Sequence, residues 1–193
     1  MQPLEKIKQA FRSIHPQQDE EWEVFSKNIA FKHFEKGEFL CRHGQVENYI
    51  YFLNSGATRN YFIKDGKELT VDFQFEGNFV SAYYSFLSRE PSPICVEAIS
   101  AIEACAIHHE SLHRFYDEYK VGDRIGRLIA EMQYMKRLKR EIELMSMTAE
   151  ERYARLVEQN PKFVNDLSVK HLSSYLGIHP ESLSRIRKQY SRN

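Results

Sequence analysis

The chain has 193 residues, 42% of them hydrophobic and 28% charged, with 27 Lys+Arg against 27 Asp+Glu. That is the composition of a globular protein with one large domain or two small ones, and no apolar run reaches the length of a membrane span. Cys41, Cys95 and Cys105 are scattered, with no CxxC or Cys/His spacing, so a disulfide framework, a zinc site and a four-cysteine iron–sulfur cluster all lack support. The start, MQPLEKIKQAF, is no signal peptide. The expectation is a cytoplasmic protein with reduced cysteines, no metal and no cofactor.

Residues 3–15 are predicted helical, because Leu4, Ile7, Phe11 and Ile14 recur at helical spacing. Asp19 is placed to cap a second short helix carrying Trp22, Phe25 and Ile29. Both faces read as packing. From Phe31 the character changes, with glycines at 37, 44, 56, 66 and 77 separated by aromatic or β-branched runs. Phe31–Phe34, Glu38–Cys41, Tyr49–Leu53, Thr58–Ile63, Leu69–Phe75, Ile94–Ala98 and Ile102–Ile107 are predicted strands. Asp65-Gly66 is a hairpin turn, since both positions tolerate positive φ. Short strands at this spacing predict an antiparallel roll, closed to protect its edges. His108-His109 would put its rings on opposite sides of a strand, which does not make a metal site.

Glu110–Met147 is read as one long helical pattern. Val121, Ile125, Leu128, Met132, Met135 and Ile142 follow alternating spacings of four and three, with Lys139 breaking the seam and Leu138 and Met145 widening it. Such a stripe either covers the roll or pairs with a second helix, and pairing suits a two-fold dimer. Thr148-Ala-Glu-Glu151 is a capping box opening a helix with Tyr153, Leu156 and Val157, stopped at Asn160-Pro161.

Val169–Lys188, VKHLSSYLGIHPESLSRIRK, reads as two short helices joined at Gly177. Leu172 and Leu176 share a face of the first, Leu183 and Ile186 a face of the second, and Ile178 fills the corner. Ser168 is a plausible N-cap, Ser173 is small where the helices cross, and Pro180 stands at the first position of the second helix. Gly177 supplies the positive φ of the reversal. This is the layout of a helix-turn-helix, whose second helix enters a DNA major groove. Its outward side is Glu181, Ser184, Arg185 and Lys188. Glu181 can accept from a cytosine amino group and Arg185 can donate twice to guanine, while Lys170, His179, Ser182 and Lys188 suit phosphate contact or orientation. Glu181 and Arg185 could also simply pair at i,i+4. Charge follows the motif: residues 1–109 hold 11 Lys+Arg against 15 Asp+Glu, residues 110–147 hold 8 against 7, and residues 148–193 hold 8 against 5.

Roll, long helix and terminal helix-turn-helix, in that order, resemble the Crp/Fnr family of bacterial transcription regulators. KGEFLCRHGQ, YIYFLNSGATRNYF, DGKE and FEGNFV are similar to the family's cyclic-nucleotide-binding-like roll, and GIHPESLSRIRK to its recognition helix. Glu181, Ser184 and Arg185 resemble the base-reading set of the Fnr branch. The resemblance implies an α+β fold: a cupin-like jelly roll over residues 1–112, a dimerisation helix over 113–147, and a helix-turn-helix bundle over 148–193 without a following wing. It further implies a homodimer on a near-palindromic promoter site that contacts RNA polymerase.

The family's nucleotide binders carry a Gly-Glu pair and, about ten residues on, an Arg-Ser pair. Here Ser81-Ala82 and Ser92-Pro93 stand near those positions, and Arg89 is off register. A buried cyclic phosphate would lack its guanidinium partner, so cyclic AMP is not the expected effector. Phe79, Ser81, Ala82, Tyr83, Tyr84, Ser92 and Pro93 are the candidate lining for some other, unidentified effector. The clustered cysteines of the iron–sulfur branch are absent. No catalytic motif is found, so an enzyme is not expected. The competing reading is a small-molecule sensor that signals through protein contacts rather than DNA.

Overall fold

The computed structural model describes residues 3–14, 19–159, 161–164 and 167–190. The chain divides into two compact units: residues 1–62 with 72–132, and residues 63–71 with 133–193. Its elements are α1 (Pro3–Ile14), α2 (Asp19–Ser26), β1 (Ile29–Phe34), β2 (Phe39–Cys41), β3 (Tyr49–Ser55), β4 (Ala57–Lys64), β5 (Lys67–Phe75), β6 (Phe79–Val80), α3 (Tyr83–Ser88), β7 (Cys95–Ala98), β8 (Ile102–His108), α4 (His109–Glu118), α5 (Lys120–Ser146), α6 (Ala149–Gln159), α7 (Pro161–Val164), α8 (Val169–Leu176) and α9 (Pro180–Tyr190).

The strands form two four-stranded sheets, ordered β1-β8-β3-β6 and β2-β7-β4-β5. In the first, Tyr51 pairs with Ala106, Phe52 with Cys105 and Leu53 with Ala104, all antiparallel. Alternation then sends Tyr51, Leu53, Ala104 and Ala106 to one face, where they pack with Leu40, Val80, Val96 and Ala98. Phe52, Cys105 and Ile107 go to the other face, against Ile7 and Phe11 of α1, Trp22 and Phe25 of α2, Leu112 and Phe115 of α4, and Ile125 of α5. One sheet thus separates two cores, and each large side chain buried there contributes about 2–3 kcal/mol. At the corner after β3 the backbone leaves no room for a side chain. A Cβ on Gly56 would lie 2.2 Å from the Ala101 carbonyl oxygen, and its φ is +84°. The Asp65-Gly66 turn forms as expected, with φ of 52° and 73°.

Four expectations need correction. The stretch from Glu110 to Met147 is two helices. Tyr119 is extended, with φ −131° and ψ 118°, and ends α4. α5 restarts tight against α4, where a Cβ on Gly122 would meet the Phe115 carbonyl oxygen at 2.7 Å. The stripe lies wholly in α5 and is divided by burial: Ile125 is buried in the core of the first unit, whereas Met132, Met135, Leu138, Ile142 and Met145 are exposed. Ile29 belongs to β1 rather than to the second helix, and Asp19 receives Lys8 at 2.9 Å and Arg12 at 2.5 Å. β6 and α3 fall where no element was predicted. His108 caps α4, its Nδ1 accepting the Glu110 N–H at 3.3 Å, and His109 is already helical.

In the second unit the capping box closes both ways. The Thr148 N–H donates to Glu151 at 2.7 Å, and the Glu151 N–H donates to the Thr148 hydroxyl at 3.2 Å. Tyr153, Leu156, Val164, Leu167, Leu172, Leu176, Leu183 and Ile186 are buried. Asn160, residue 15 and the chain after Tyr190, on which three expectations fell, lie outside the described residues.

Candidate nucleic-acid interface

The helix-turn-helix is built as its sequence dictates. Ser168 caps α8 by accepting the His171 N–H at 3.1 Å. Gly177 takes φ +69°, and the Ile178 N–H closes back onto the Ser173 carbonyl at 3.0 Å. Ser173 is buried at the crossing. With Leu183 and Ile186 turned inward, Glu181, Ser184, Arg185 and Lys188 are left exposed on the outward side of α9, and His179 is exposed just before it. Ser182 is half-buried at the edge of that side. The Ser184 hydroxyl donates to the Pro180 carbonyl at 3.1 Å. No ion pair joins Glu181 to Arg185 among the described residues, so carboxylate and guanidinium stand one turn apart with their heads in solvent.

Lys170 sits in the first turn of α8, its ammonium 3.6 Å from Glu68 of the β4–β5 hairpin. Ser174, one turn along α8, donates to the Glu68 carbonyl at 3.2 Å and accepts the Thr70 N–H at 2.9 Å. The C-terminal end of α8 is held by two guanidinium groups. Arg140 donates to the Tyr175 carbonyl at 2.6 Å and Arg152 to the Leu176 carbonyl at 2.8 Å. These carbonyls are among those a helix leaves unpaired at its end. Arg187, counted with the basic cluster, donates to the Val164 carbonyl at 3.1 Å and so serves the bundle. None of these supports was foreseen from sequence.

The seven candidate effector residues are not brought together. Ala82 is buried within the roll, but Phe79 and Tyr83 lie on the other side of the sheet. There they line an apolar cavity with Phe11, Phe115, Tyr116 and Ile125. Tyr84 and Pro93 are exposed, and the Tyr84 hydroxyl donates to Glu90. The Ser81 hydroxyl donates to the Tyr49 carbonyl at 2.9 Å and that of Ser92 to the Ile94 carbonyl at 2.8 Å.

The polar group that holds α3 is instead Glu47, only 2% exposed. Its carboxylate accepts the Tyr49 N–H at 2.9 Å and the Ala82 N–H at 3.4 Å, and its own N–H donates to the Ser85 hydroxyl at 3.0 Å. Burial pushes its pKa up to about 7, with backbone donors and Arg89 opposing the rise. Arg89, in a left-handed conformation at the end of α3, donates to the Glu47 carbonyl at 2.6 Å and to Asn48 at 2.5 Å. The Cys41 thiol is pushed up to about 12 by burial and by Glu47, as suits an inert thiol. Arg59 is buried over the Tyr61 ring. Its register partner is Glu97, which places it on the face of β4 away from Val96 and Ala98. Among the described residues no cluster of His, Cys, Asp and Glu could hold a metal ion, and no helix is long and apolar enough to cross a membrane.

Residues 31–119 match the cyclic nucleotide-binding domain model. The transcriptional activator protein Anr of Pseudomonas protegens is 27% identical over 180 residues, covering 82% of this chain and 69% of that protein. Among solved structures, FixK2 of Bradyrhizobium japonicum superposes with a TM-score of 0.71 at 21% identity, covering 85% of each chain. The c-di-GMP-responsive global regulator CLP of Xanthomonas campestris gives 0.68 at 19%, covering 91% of this chain and 92% of that one. In sequence and in fold the chain is similar to transcription regulators of the Crp/Fnr type. The matched domain runs from β1 through α4, and the helix-turn-helix follows α5. Regulators of the family bind promoter DNA as dimers, and the relatives matched are transcription factors rather than enzymes.

Proposed function

We propose that the chain is a Crp/Fnr-type transcription regulator that acts in the bacterial cytoplasm as a homodimer and places α9 of each copy in a major groove of a near-palindromic promoter site. Glu181 and Arg185 read base edges with Ser184 beside them, while Lys170, His179, Ser182 and Lys188 engage or face phosphates. The observation that carries this reading is the outward side of α9. It presents an unpaired carboxylate and an unpaired guanidinium one turn apart, opposite a fully buried apolar face. Each good base contact is worth about 1–3 kcal/mol of discrimination.

Dimer pairing runs along the exposed part of the α5 stripe, Met132 to Met145, rather than along all of residues 113–147. Methionines and branched residues left in water at heptad spacing need a partner helix to be buried. The two-fold pair then contacts RNA polymerase from the promoter.

The roll does not take cyclic AMP. Support comes from Arg89, whose guanidinium is committed to Glu47 and Asn48, and from Arg59, which shares a buried face of its strand with Tyr61 and Glu97 rather than with Val96 and Ala98. Neither is placed to pair a cyclic phosphate inside the roll. The test is mobility shift with duplexes recovered by in-vitro selection, alongside native mass spectrometry and calorimetry with cyclic AMP. A dimer that selects paired half-sites and gives no heat with cyclic AMP supports the reading. A protein that binds no selected duplex more tightly than random sequence sinks it.

A further inference from the structure

Among the contacts that tie α5 to the helices after it in the second unit, two stand out. One is an ion pair, Glu143 of α5 to Arg155 of α6 at 3.1 Å. The other bypasses α6 altogether. Arg140 of α5 lays its guanidinium over the Tyr175 ring, 3.9 Å from the centroid, and donates to the Tyr175 backbone carbonyl at 2.6 Å. Tyr175 is the penultimate residue of α8, two before the Gly177 turn from which α9 departs. Arg140 is also off the apolar stripe, about 100° round the helix from Lys139. It therefore leaves the proposed dimer seam free while it grips the reading motif.

A stacked and hydrogen-bonded guanidinium is an orientation device. The planar fork fixes direction as well as distance, and a flexible ammonium would not. The connection that Arg140 reinforces is short, Met147 and Thr148 between α5 and α6, and it has no regular structure of its own. Without a brace, a motif joined to a dimer helix through two residues could swing. A two-fold dimer must hold its two reading helices about one helical turn apart. Changing the half-site spacing by one base pair moves a half-site by roughly 3.4 Å and turns it by about 35°.

We propose that Arg140 is the positioning residue that sets the angle between the dimer helix and the reading motif, and that it thereby determines which half-site spacing the dimer accepts. The inference rests on the dimeric DNA-binding reading above. Arg140 acts through Tyr175 and makes no contact with DNA itself.

The test uses the full chain and duplexes selected against the wild type, together with the same duplexes lengthened or shortened by one base pair between half-sites. Arg140→Met keeps the aliphatic stem and Arg140→Ala removes it, while both replacements are good helix formers. The wild type is expected to lose at least about tenfold in affinity when the spacing changes. Both variants are expected to lose no more than about threefold, having weakened on the original spacing. Their dimer mass and the slope of log affinity against log salt should be unchanged, since no phosphate contact is removed. Wild-type spacing discrimination in folded variants overturns the proposal. So does a salt slope reduced by about one, which would make Arg140 a phosphate contact. If the wild type selects no paired half-sites, the functional reading falls together with this one. If it does select them and only the variants fail to loosen, this inference alone falls.

Discussion

Ser174 of α8 is hydrogen-bonded to Thr70 of the β4–β5 hairpin: the Thr70 N–H donates to the Ser174 hydroxyl at 2.9 Å, and that hydroxyl in turn donates a hydrogen bond to the Glu68 carbonyl at 3.2 Å. One small side chain thus serves two backbone groups of a neighbouring segment. Ser174→Ala should cost about 1 kcal/mol, the usual net worth of such a bond. The denaturant midpoint of the full chain should fall accordingly, and an unchanged midpoint would show that the contact contributes nothing.

Glu68 also stands 3.6 Å from Lys170, a residue assigned to phosphate contact. Its carboxylate opposes an approaching phosphate. Glu68→Gln should raise affinity for selected duplexes about two- to threefold at low salt, with the gain fading as salt screens the exposed charges. Binding titrations of both proteins across a salt series check this, and a gain that persists at high salt would contradict the electrostatic cause.

Glu47 makes stability depend on pH. Its folded pKa lies near 7, above the ordinary carboxylate value of 4.5, because burial disfavours the charge. The folded state therefore holds the proton more tightly than the unfolded chain does. The stabilisation linked to that proton is complete below about pH 4.5 and is lost as pH rises to about 7. The difference is roughly 3 kcal/mol. Chemical denaturation at several pH values should show that fall in the wild type, and Glu47→Gln, which cannot ionise, should remove that part of it. Parallel curves for the two proteins would contradict the assignment.

Two glycines should answer differently to alanine. At Gly56 a Cβ meets a backbone carbonyl oxygen at 2.2 Å and φ is +84°, so Gly56→Ala should cost several kcal/mol and yield little folded protein. At Gly177 nothing lies within 4 Å, and only the φ of +69° is unfavourable. Gly177→Ala should therefore cost about 1 kcal/mol and leave the chain folded. Equal losses, read from denaturant midpoints, would show that space does not separate the two positions.

Some of this was legible in the sequence because it is local. The capping box at Thr148, the cap at Ser168, the turn at Asp65-Gly66 and the reversal at Gly177 are each set by a few neighbouring residues, and all form. The apolar positions of α8 and α9 follow a period that one buried face imposes. What stayed hidden depends on distant parts of the chain. β8 was legible as a strand over Ile102–Ile107, but not the core each face meets, because both faces are buried, Ala104 and Ala106 in one core and Cys105 and Ile107 in the other. The apolar stripe lies wholly within α5, so it carries no sign of the break at Tyr119 just before it. That break is set by the packing of Gly122 against Phe115. Glu47 looks like a surface charge until the fold brings α3 over it. Nothing in the sequence marks Arg140 or Arg152, and only the fold points them at the end of α8.

The central claim is that Arg185 reads a base while Lys188 touches only phosphate. It is tested most directly by measuring affinity for the selected duplex and for random duplex, across salt, with the wild type, Arg185→Ala and Lys188→Ala. Arg185→Ala should lose about 10- to 100-fold on the selected duplex and much less on random sequence, because a base contact of about 1–3 kcal/mol is gone. Lys188→Ala should weaken both alike and lower the salt slope by about one. If Arg185→Ala weakens selected and random duplexes equally, or leaves both unchanged, α9 does not read bases through Arg185.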